Sequence, residues 1–314
     1  MSITVLNPGL QTTIQSRPRT GLRHMGVPAS GAADPLSLAL ANKLVGNDWD
    51  APALEATLLG PTLRFDATCA FAIAGAQSAV TLNDRIIPLH ETIFANAGDE
   101  LATGSTEKGT RLYIAIAGGL AADEVLGSPS TCLLAAFGGM QGRALEAGDE
   151  LRSRPASVTE KMRTPDEFRP PMLSSWALRA CASAETHQLA SNSRAELFDT
   201  NWTVSRRADR MGLQLEGPTL DVTSDGRMPS APVFPGTVQC PEGGAPYLLS
   251  VDAGTVGGYP RIAQVARADR HLLGQLRPGD HVRLLWRDER SAIDDLRAKI
   301  DYWRQWLGDV ERII

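Results

Sequence analysis

A five-residue pattern, in which a Gly-Asp pair leads into alternating residues, occurs three times in the chain. It reads Ala97-Gly-Asp-Glu-Leu101, recurs unchanged over 147–151, and returns as Pro278-Gly-Asp-His-Val282. Because glycine tolerates the positive φ of a tight turn, each copy predicts a turn that leads directly into a strand. A chain that reuses such turns is expected to be mainly β.

Two further motifs repeat in the same order. His24-Met-Gly-Val27 is echoed by Arg210-Met-Gly-Leu213, and the Gly-Pro-Thr-Leu sequence of 60–63 recurs at 217–220. The two halves of this repeat lie on either side of a proline-rich stretch with alternating charges, which is typical of an interdomain connection. The repeat therefore predicts two related β-rich domains.

The predicted division of the chain has four parts. An N-terminal domain spans 1–153, a proline-rich connection 154–172, a second domain 173–288 and a C-terminal helix 289–314.

Only two segments have the pattern of a well-formed helix. In the first, Asp34 is a suitable N-cap, Pro35 fits the first helical position, and Gly46 follows the last turn of a helix over 35–45. The second is the C-terminal helix, which is expected to pack on its own domain through an apolar stripe at helical spacing: Ile293, Leu296, Ile300, Trp303 and Leu307.

Composition narrows the possible functions. The net charge is −5 and no basic block is present, so nucleic acid is not an expected partner. No apolar run approaches about 18 residues and no charged-then-apolar leader opens the chain, which favours a cytoplasmic protein with no membrane segment. The four cysteines lie far apart, as expected for reduced and mostly buried thiols.

Several cofactor motifs are missing from the sequence. There is no Gly-x-x-x-x-Gly-Lys-Ser/Thr loop, no Gly-x-Ser-x-Gly turn and no Ala-Met-Lys-Met-type biotin attachment site. The five histidines are isolated, so no metal site is expected. If ATP or biotin takes part in the reaction, other chains are expected to supply those parts.

A series of short motifs is spread over residues 20–285 in an order typical of one known family. They are Gly26-Val-Pro-Ala-Ser-Gly-Ala-Ala-Asp34, Ala41-Asn-Lys-Leu-Val-Gly-Asn47, Leu54-Glu55, Gly60-Pro61, Ala117-Gly-Gly119, Leu126-Gly-Ser-Pro-Ser-Thr131, Gly138-Gly-Met-Gln-Gly-Arg143, Asp209-Arg-Met-Gly212, Pro235-Gly-Thr-Val-Gln239 and 252–260. In these motifs the chain resembles the family of C-type subunits of bacterial 5-oxoprolinase. That family is also described as biotin-dependent carboxyltransferase proteins and as allophanate hydrolase subunit 2.

Two stretches differ from the family pattern. The segment 182–187 stands where the family has a Gly-Pro pair with an acidic residue, and Pro129 replaces the arginine of a Gly-Ser-Arg-Ser-Thr motif. Either change is expected to affect the substrate or a partner contact.

The resemblance implies a mainly β fold of tandem cyclophilin-like β-barrel domains with a few helices. It also implies a sister subunit of the B type and a third subunit of the A type. The complex would open the lactam of 5-oxo-L-proline to L-glutamate at the expense of ATP, with this chain inactive alone. One alternative is a biotin-dependent carboxyltransferase component acting on urea or a similar small amide. The other is a non-catalytic regulator of the sister subunit.

Two segments rich in Gly and Pro, 23–34 and 251–260, are suited to the rim of a pocket. The implied substrates contain an N–H beside a C=O, so a site needs an acceptor and a donor. Asp252, His24 and Tyr259 are the predicted catalytic residues: Asp252 as the acceptor, Tyr259 as a donor and His24 as general acid or base.

Nine further residues are predicted to bind substrate. Gln239 offers a second carbonyl donor, three arginines would hold a carboxylate or phosphate, and two glycine amides would stabilise an oxyanion. The full set is Gln239, Thr255, Gly257, Gly258, Arg23, Arg207, Arg210, Asn47 and Glu55.

Structural roles compete with these assignments. Asp34 is suited to cap a helix, Asn47 to form a turn, and Glu55, within an apolar run, to make a buried hydrogen bond. Four other side chains fit structural roles, with Met25 and Met211 in the core and Arg143 and Arg210 paired with neighbouring acids on a surface.

Overall fold

In the computed structural model, which describes residues 1–156, 158, 160–223 and 228–314, strands and tight turns dominate. The prediction of a mainly β chain with a few helices is confirmed. Residues group by contact into two compact units: unit 1 is Met1–Arg19, Ser30–Met172 and Trp306–Ile313, and unit 2 is Thr20–Ala29, Leu173–Gln305 and Ile314. The four-part division of the chain remains a prediction.

Unit 1 contains a six-stranded and a five-stranded sheet. The six-stranded sheet has the order β11-β1-β4-β9-β6-β7, and the five-stranded sheet β2-β3-β10-β5-β8. Their bounds are β1 Ser2–Asn7, β2 Gln11–Gln15, β3 Ala53–Thr57, β4 Thr62–Phe65, β5 Cys69–Ser78, β6 Thr81–Leu82, β7 Arg85–Ile86, β8 Thr92–Ala95, β9 Glu100–Ala102, β10 Thr106–Ile116 and β11 Glu150–Arg152.

The core of unit 1 is built from alternate residues of both sheets. Val5 and Phe65 from the larger sheet pack in one cluster with Ile73, Leu112 and Ile114 from the smaller one. The opposite face of the smaller sheet is covered by helix α1, Pro35–Leu44, which contacts β5 and β10. Because both of its faces are buried, β5 is a nearly continuous apolar run rather than an alternating one.

Unit 2 is built around a closed seven-stranded barrel, in the order β12-β19-β16-β17-β14-β13-β20. The barrel closes through a parallel pairing of its first and last strands. The bounds are β12 Ser175–Cys181, β13 Trp202–Ala208, β14 Gly212–Glu216, β16 Thr237–Gln239, β17 Tyr247–Leu249, β19 Arg261–Val265 and β20 His281–Trp286, with a two-stranded sheet of β15 Ala231–Pro232 and β18 Val256–Gly257.

The predicted helix after Asp34 is confirmed, since Asp34 caps α1 by accepting from the Ser37 amide at 3.0 Å. The sequence does not predict α2, Ser191–Asp199, because Leu197 is its only large buried side chain. The C-terminal helix α3 spans Glu289–Leu307. Gly308, with φ +77°, follows its last turn.

In the described part of the chain, no helix has the length and hydropathy needed to span a membrane.

The three Gly-Asp turns have the same hydrogen bonds, as their repeated sequence suggests. In each, the aspartate Oδ2 accepts from the amide three residues earlier, at 2.7, 2.8 and 3.1 Å. In each turn, the glycine amide donates to the carbonyl of a strand residue, and the amide of that strand residue donates to the aspartate carbonyl. The strand residues of the three turns are, in order, Phe65, Val5 and Val204. The glycine φ values of +90°, +94° and +91° confirm the predicted left-handed turns.

Replacing Gly279 by alanine is expected to destabilise the protein by about 1–2 kcal/mol, because an L-residue pays that cost in the left-handed region. A Cβ at Gly279 meets nothing within 4 Å, so backbone strain is the sole expected cause. Urea unfolding would measure the loss. The matched control is Gly243→Ala in the same unit, where φ is not left-handed and space is also open. Equal stability of the two variants would contradict the prediction.

Candidate functional site

Arg23 joins the two Gly- and Pro-rich segments within unit 2. It begins a one-turn 3-10 helix, Arg23–Met25, and its Nη2 donates to the carbonyls of Val233 at 2.6 Å and Gly254 at 3.0 Å. Its guanidinium carbon lies 5.5 Å from the centre of the Phe234 ring, within cation–π range. Burial lowers the pKa of Arg23.

Arg210 and Asp252 form a buried ion pair at the start of the second segment. Asp252 Oδ2 accepts from Arg210 Nε at 2.6 Å and Oδ1 from Nη2 at 3.3 Å, and both side chains are 5% exposed. The Asp252 amide also donates to the Arg210 carbonyl at 2.9 Å. Both carboxylate oxygens of Asp252 are therefore engaged within the protein. Arg210 pairs with an acid as predicted, but in the interior rather than on a surface.

Gln239 fixes the far end of the same loop. Its Nε2 donates to the Tyr259 carbonyl at 3.1 Å, and a Cβ at Gly257 would lie only 2.5 Å from that nitrogen. Glycine at 257 is thus what permits this close approach. The Thr255 carbonyl accepts from the Val233 amide at 3.1 Å, which continues the short β15–β18 sheet. At Gly258, an added Cβ would make only ordinary contacts.

Several side chains on this loop or beside Arg23 are exposed. His24 is exposed, and Tyr259 and Phe234 are 51% and 49% exposed. The core-packing interpretation of Met25 and Met211 is wrong, because both are exposed. Met25 ends the one-turn helix, while Met211 lies on the turn between β13 and β14, where its amide donates to Asp209.

Three predicted binding residues do not join this group within unit 2. Arg207 is exposed near the end of β13, where its amide donates to Ser205 Oγ at 3.3 Å. Asn47 and Glu55 belong to unit 1. Asn47 Nδ2 donates to Asn42 Oδ1 and the Ile116 carbonyl, and its Oδ1 accepts from the Gly118 amide, so it fills the turn role considered above.

Glu55 lies in a buried polar network beneath α1. Its Oε2 accepts from Tyr113 Oη at 2.7 Å and from the Ala33 amide at 2.9 Å, while Oε1 is 3.3 Å from Arg111 Nε. Tyr113 Oη in turn accepts from the Asp34 amide at 2.8 Å. Burial, reinforced by the Glu55 charge, raises the pKa of Tyr113 well above its usual value. These contacts match the buried hydrogen-bonding role weighed for Glu55.

Two residues beside the loop were not singled out in the sequence. Arg261, at the start of β19, makes a two-point ion pair with Glu185 at 2.7 and 2.6 Å, and its Nη1 donates to the Pro232 carbonyl. The hydrogen bonds from Arg261 lower the pKa of Glu185. Glu185 lies within the divergent segment 182–187, but its partner is 76 residues away, so no local signal identifies the pair.

Metal ligation has no candidate among the residues placed in the structure. Within them, no three His, Cys, Asp or Glu side chains are arranged to hold an ion. The polar groups on the two segments of unit 2 suit recognition of a small polar molecule: an exposed imidazole, a phenol, a loop amide and a partly buried guanidinium.

Comparison with known proteins places this arrangement in a family. Residues 25–286 match the model of the carboxyltransferase domain, subdomain A and B. The chain is 34% identical to the C-type subunit of the Escherichia coli 5-oxoprolinase, over 96% of each protein. It is also 34% identical to the urea amidolyase of Lachancea kluyveri, over 90% of this chain but 17% of that protein.

A solved structure gives the same result. The crystal structure of the K. lactis urea amidolyase superposes with a TM-score of 0.91 at 31% identity, covering 98% of this chain and 20% of that one. A match over most of the sequence and nearly all of the fold leaves one assignment. The chain belongs to the carboxyltransferase domain family, subdomain A and B, together with the C-type subunits of 5-oxoprolinase.

Proposed function

We propose that this chain is the C-type subunit of an ATP-dependent 5-oxoprolinase, which opens 5-oxo-L-proline to L-glutamate. The observation that carries the proposal is the end-to-end correspondence with the E. coli 5-oxoprolinase protein, 96% of either chain. The urea amidolyase relative corresponds over only 17% of its own length, as one region of a longer protein.

The protein would work in the cytoplasm with a B-type sister subunit and an A-type subunit, and would be inactive alone. ATP hydrolysis belongs to the complex, and no ATP motif assigns it to this chain. In the alternative, biotin would enter as a carboxylated carrier on another protein.

The exposed groups of unit 2 would recognise the lactam. In this proposal His24 donates the proton that the lactam nitrogen gains as its bond to the carbonyl carbon breaks, and the Tyr259 hydroxyl contacts the amide. The Gly258 amide would stabilise the oxyanion as that carbon becomes tetrahedral. The Gly257 amide does not take this part, because the antiparallel pairing of Pro232 with Val256 directs it to the Ala231 carbonyl. Arg23 would receive the substrate carboxylate. Two of its nitrogens, Nε and Nη1, are buried without a hydrogen-bond partner among the described residues.

Asp252 has a different part in this site. Since Arg210 occupies both of its oxygens, Asp252 acts as a positioning residue that fixes the first turn of the loop. Its assignment as the direct N–H acceptor stays a prediction, and the ion pair gives it a test.

Carboxyl transfer to a small amide is the second candidate, favoured by the TM-score of 0.91 to the urea amidolyase structure. Both reactions need an acceptor for an N–H and a stabilised oxyanion, so one loop would suit either. The two differ in their co-substrates, which makes them distinguishable by assay.

The deciding experiment measures ATP hydrolysis and glutamate release from 5-oxo-L-proline by this chain purified with its A- and B-type partners. Turnover is expected with all three chains and should vanish when this one is omitted. Glutamate release without this chain would overturn the proposal. A stable complex that never turns over lactam would favour either carboxyl transfer, tested with carboxybiotin and urea, or regulation.

Replacing His24 by alanine is expected to lower kcat about 10²–10⁴-fold in that complex, the usual contribution of a general acid or base. Since His24 is exposed, the melting temperature should not change. His281→Ala is the matched control, an exposed histidine of the same unit. Equal activity in the two variants would remove His24 from the proposed chemistry.

A further inference from the structure

Helix α3 buries little of its apolar stripe. Along its whole length, all of which the structure describes, Trp303 is the single buried side chain. Ile293 and Tyr302 on the same helix are 50% and 42% exposed. Since most helices owe their stability to packing of an apolar face, the position of α3 depends strongly on its polar contacts.

Lys299, in the middle of α3, contacts the 3-10 helix Arg267–Gln275 within unit 2. Its Nζ donates to the Ala268 carbonyl at 2.7 Å, and lies 3.2 Å from His271 Nε2 and 3.7 Å from Asp269 Oδ1. An ammonium group has no acceptor, so His271 Nε2 must accept at this distance. The imidazole is therefore neutral and carries its proton on Nδ1.

The surroundings of His271 disfavour its protonation. The residue is 5% exposed, and its Nδ1 is buried with no hydrogen-bond partner among the described residues. A proton on Nε2 would remove the acceptor of Lys299 and place a second cation 3.2 Å from the ammonium. Burial, reinforced by the charges of Lys299 and Arg179, holds the pKa of His271 well below its usual value.

The carboxylates near this contact are already paired with arginines. Asp269 accepts from Arg179 Nη2 at 2.5 Å and Nε at 2.8 Å, and Asp295 lies 3.1 Å from Arg179 and 2.9 Å from Arg287. The charged groups around His271 are Lys299 and Asp295 on α3, Arg179 on β12, Arg287 after β20, and Arg267, Asp269 and Arg270 on its own helix. Cations outnumber carboxylates in this set, so one more positive charge would be repelled.

We propose that the His271–Lys299 contact is an acid-sensitive anchor, at which protonation of His271 detaches α3 from the 3-10 helix 267–275. The position of α3, and the exposure of the apolar side chains along it, would then respond to pH. The anchor uses none of the residues of the proposed reaction, so it stands or falls separately from the oxoprolinase assignment.

The size of the effect follows from the proton that detachment takes up. Once α3 has moved away and water reaches the ring, a histidine has its ordinary pKa of about 6.5. Below that pH the detached state binds one proton more than the docked state, so docking weakens about tenfold per pH unit. Between pH 7.5 and pH 5.0 the docking equilibrium constant should fall about 30-fold.

Amide hydrogen exchange of the full chain tests the anchor, with each rate corrected for the intrinsic effect of pH. Protection of the amides of 296–303 should fall about 30-fold between pH 7.5 and pH 5.0. In His271→Gln the side-chain carbonyl still accepts from Lys299 but does not titrate, so this fall should disappear. His90→Gln is the matched control, since His90 is 7% exposed in unit 1 and its pKa is lowered to about 4. This variant should keep the fall.

An NMR titration of the unaltered protein keeps the test decisive even if His271→Gln does not fold. The His271 ring should stay neutral until the amides of α3 lose protection. Ordinary titration near pH 6.5 with α3 still protected would overturn the proposal. An equal fall of protection in the unaltered protein and His271→Gln would also overturn it, as would loss of the fall in His90→Gln, which would mean that α3 exchanges through global unfolding.

Discussion

Replacing Asp252 by alanine is expected to destabilise unit 2 by about 3–5 kcal/mol, the usual cost of removing one partner from a buried ion pair. The carboxylate engages Arg210 Nε and Nη2, and both side chains are 5% exposed. Without it, the guanidinium would stay in the interior and lose its contacts with both Asp252 oxygens. Urea unfolding would measure the loss.

A surface pair provides the control for this variant. Asp301 is 2.8 Å from Arg304 on α3, but the two side chains are 71% and 50% exposed. Exposed pairs contribute about 0–1 kcal/mol, so Asp301→Ala should have little effect. Similar losses from both substitutions would show that the buried pair has no special contribution.

The double variant Arg210→Met/Asp252→Leu separates stability from function. Apolar residues of similar volume often replace a buried ion pair without loss, so most of the stability should return. Turnover by the assembled complex is expected to stay lost, since the pair fixes the loop that carries Gly257 and Tyr259. Turnover that returns with stability, or that survives Asp252→Ala, would remove Asp252 from the reaction altogether.

The sequence predicted the local features of the fold well, because those features depend on neighbouring residues. The Gly-Asp turns need a glycine at positive φ and an aspartate that reaches an amide three residues earlier. Helix α1 needs Asp34 at its cap and Pro35 at its first position. All of these requirements fall within a few consecutive residues, so a single sequence reveals them.

Side-chain environment was less accessible to prediction. Met211 was assigned to the core on residue type, yet it lies exposed on a turn next to the buried Arg210. Glu185 forms an ion pair with Arg261, which is 76 residues away. The His90 carbonyl accepts from the Thr164 amide in a pairing that no periodic pattern in the sequence predicts. Whether a polar residue is buried, and what satisfies it, depends on pairings that are distant in the chain.

The candidate site shows the same limit. Grouping Arg23 with loop 252–260 follows from two Gly- and Pro-rich segments, and the structure joins them through Val233 and Gly254. Nothing in either segment indicates that both oxygens of Asp252 are engaged by Arg210. Composition therefore indicates where a candidate site lies, while the side chains available to a ligand become evident only from the hydrogen bonds.

Replacing Glu55 by glutamine should cost about 3–5 kcal/mol, although the two side chains have nearly the same shape. The Glu55 carboxylate accepts hydrogen bonds from the Tyr113 hydroxyl and the Ala33 amide, and it forms an ion pair with Arg111. All three neighbouring groups are therefore donors. An amide NH₂ in either position would face another donor, and the buried Arg111 guanidinium would lose the negative charge of Glu55. Glu100→Gln at the exposed first residue of β9 makes the same chemical change and should have almost no effect on stability.

The loss from Glu55→Gln should also be local, because Tyr113 links Glu55 to the Asp34 amide at the start of α1. Amide exchange in the first turn of α1 is expected to accelerate before that of β5. Tyr113→Phe alone should cost about 1–3 kcal/mol, by removing the hydroxyl that accepts from the Asp34 amide and donates to Glu55. In the double variant the two losses should fall short of their sum, since both break one network. Strictly additive losses would mean that Glu55 and Tyr113 act independently, and that the carboxylate does not organise the start of the helix.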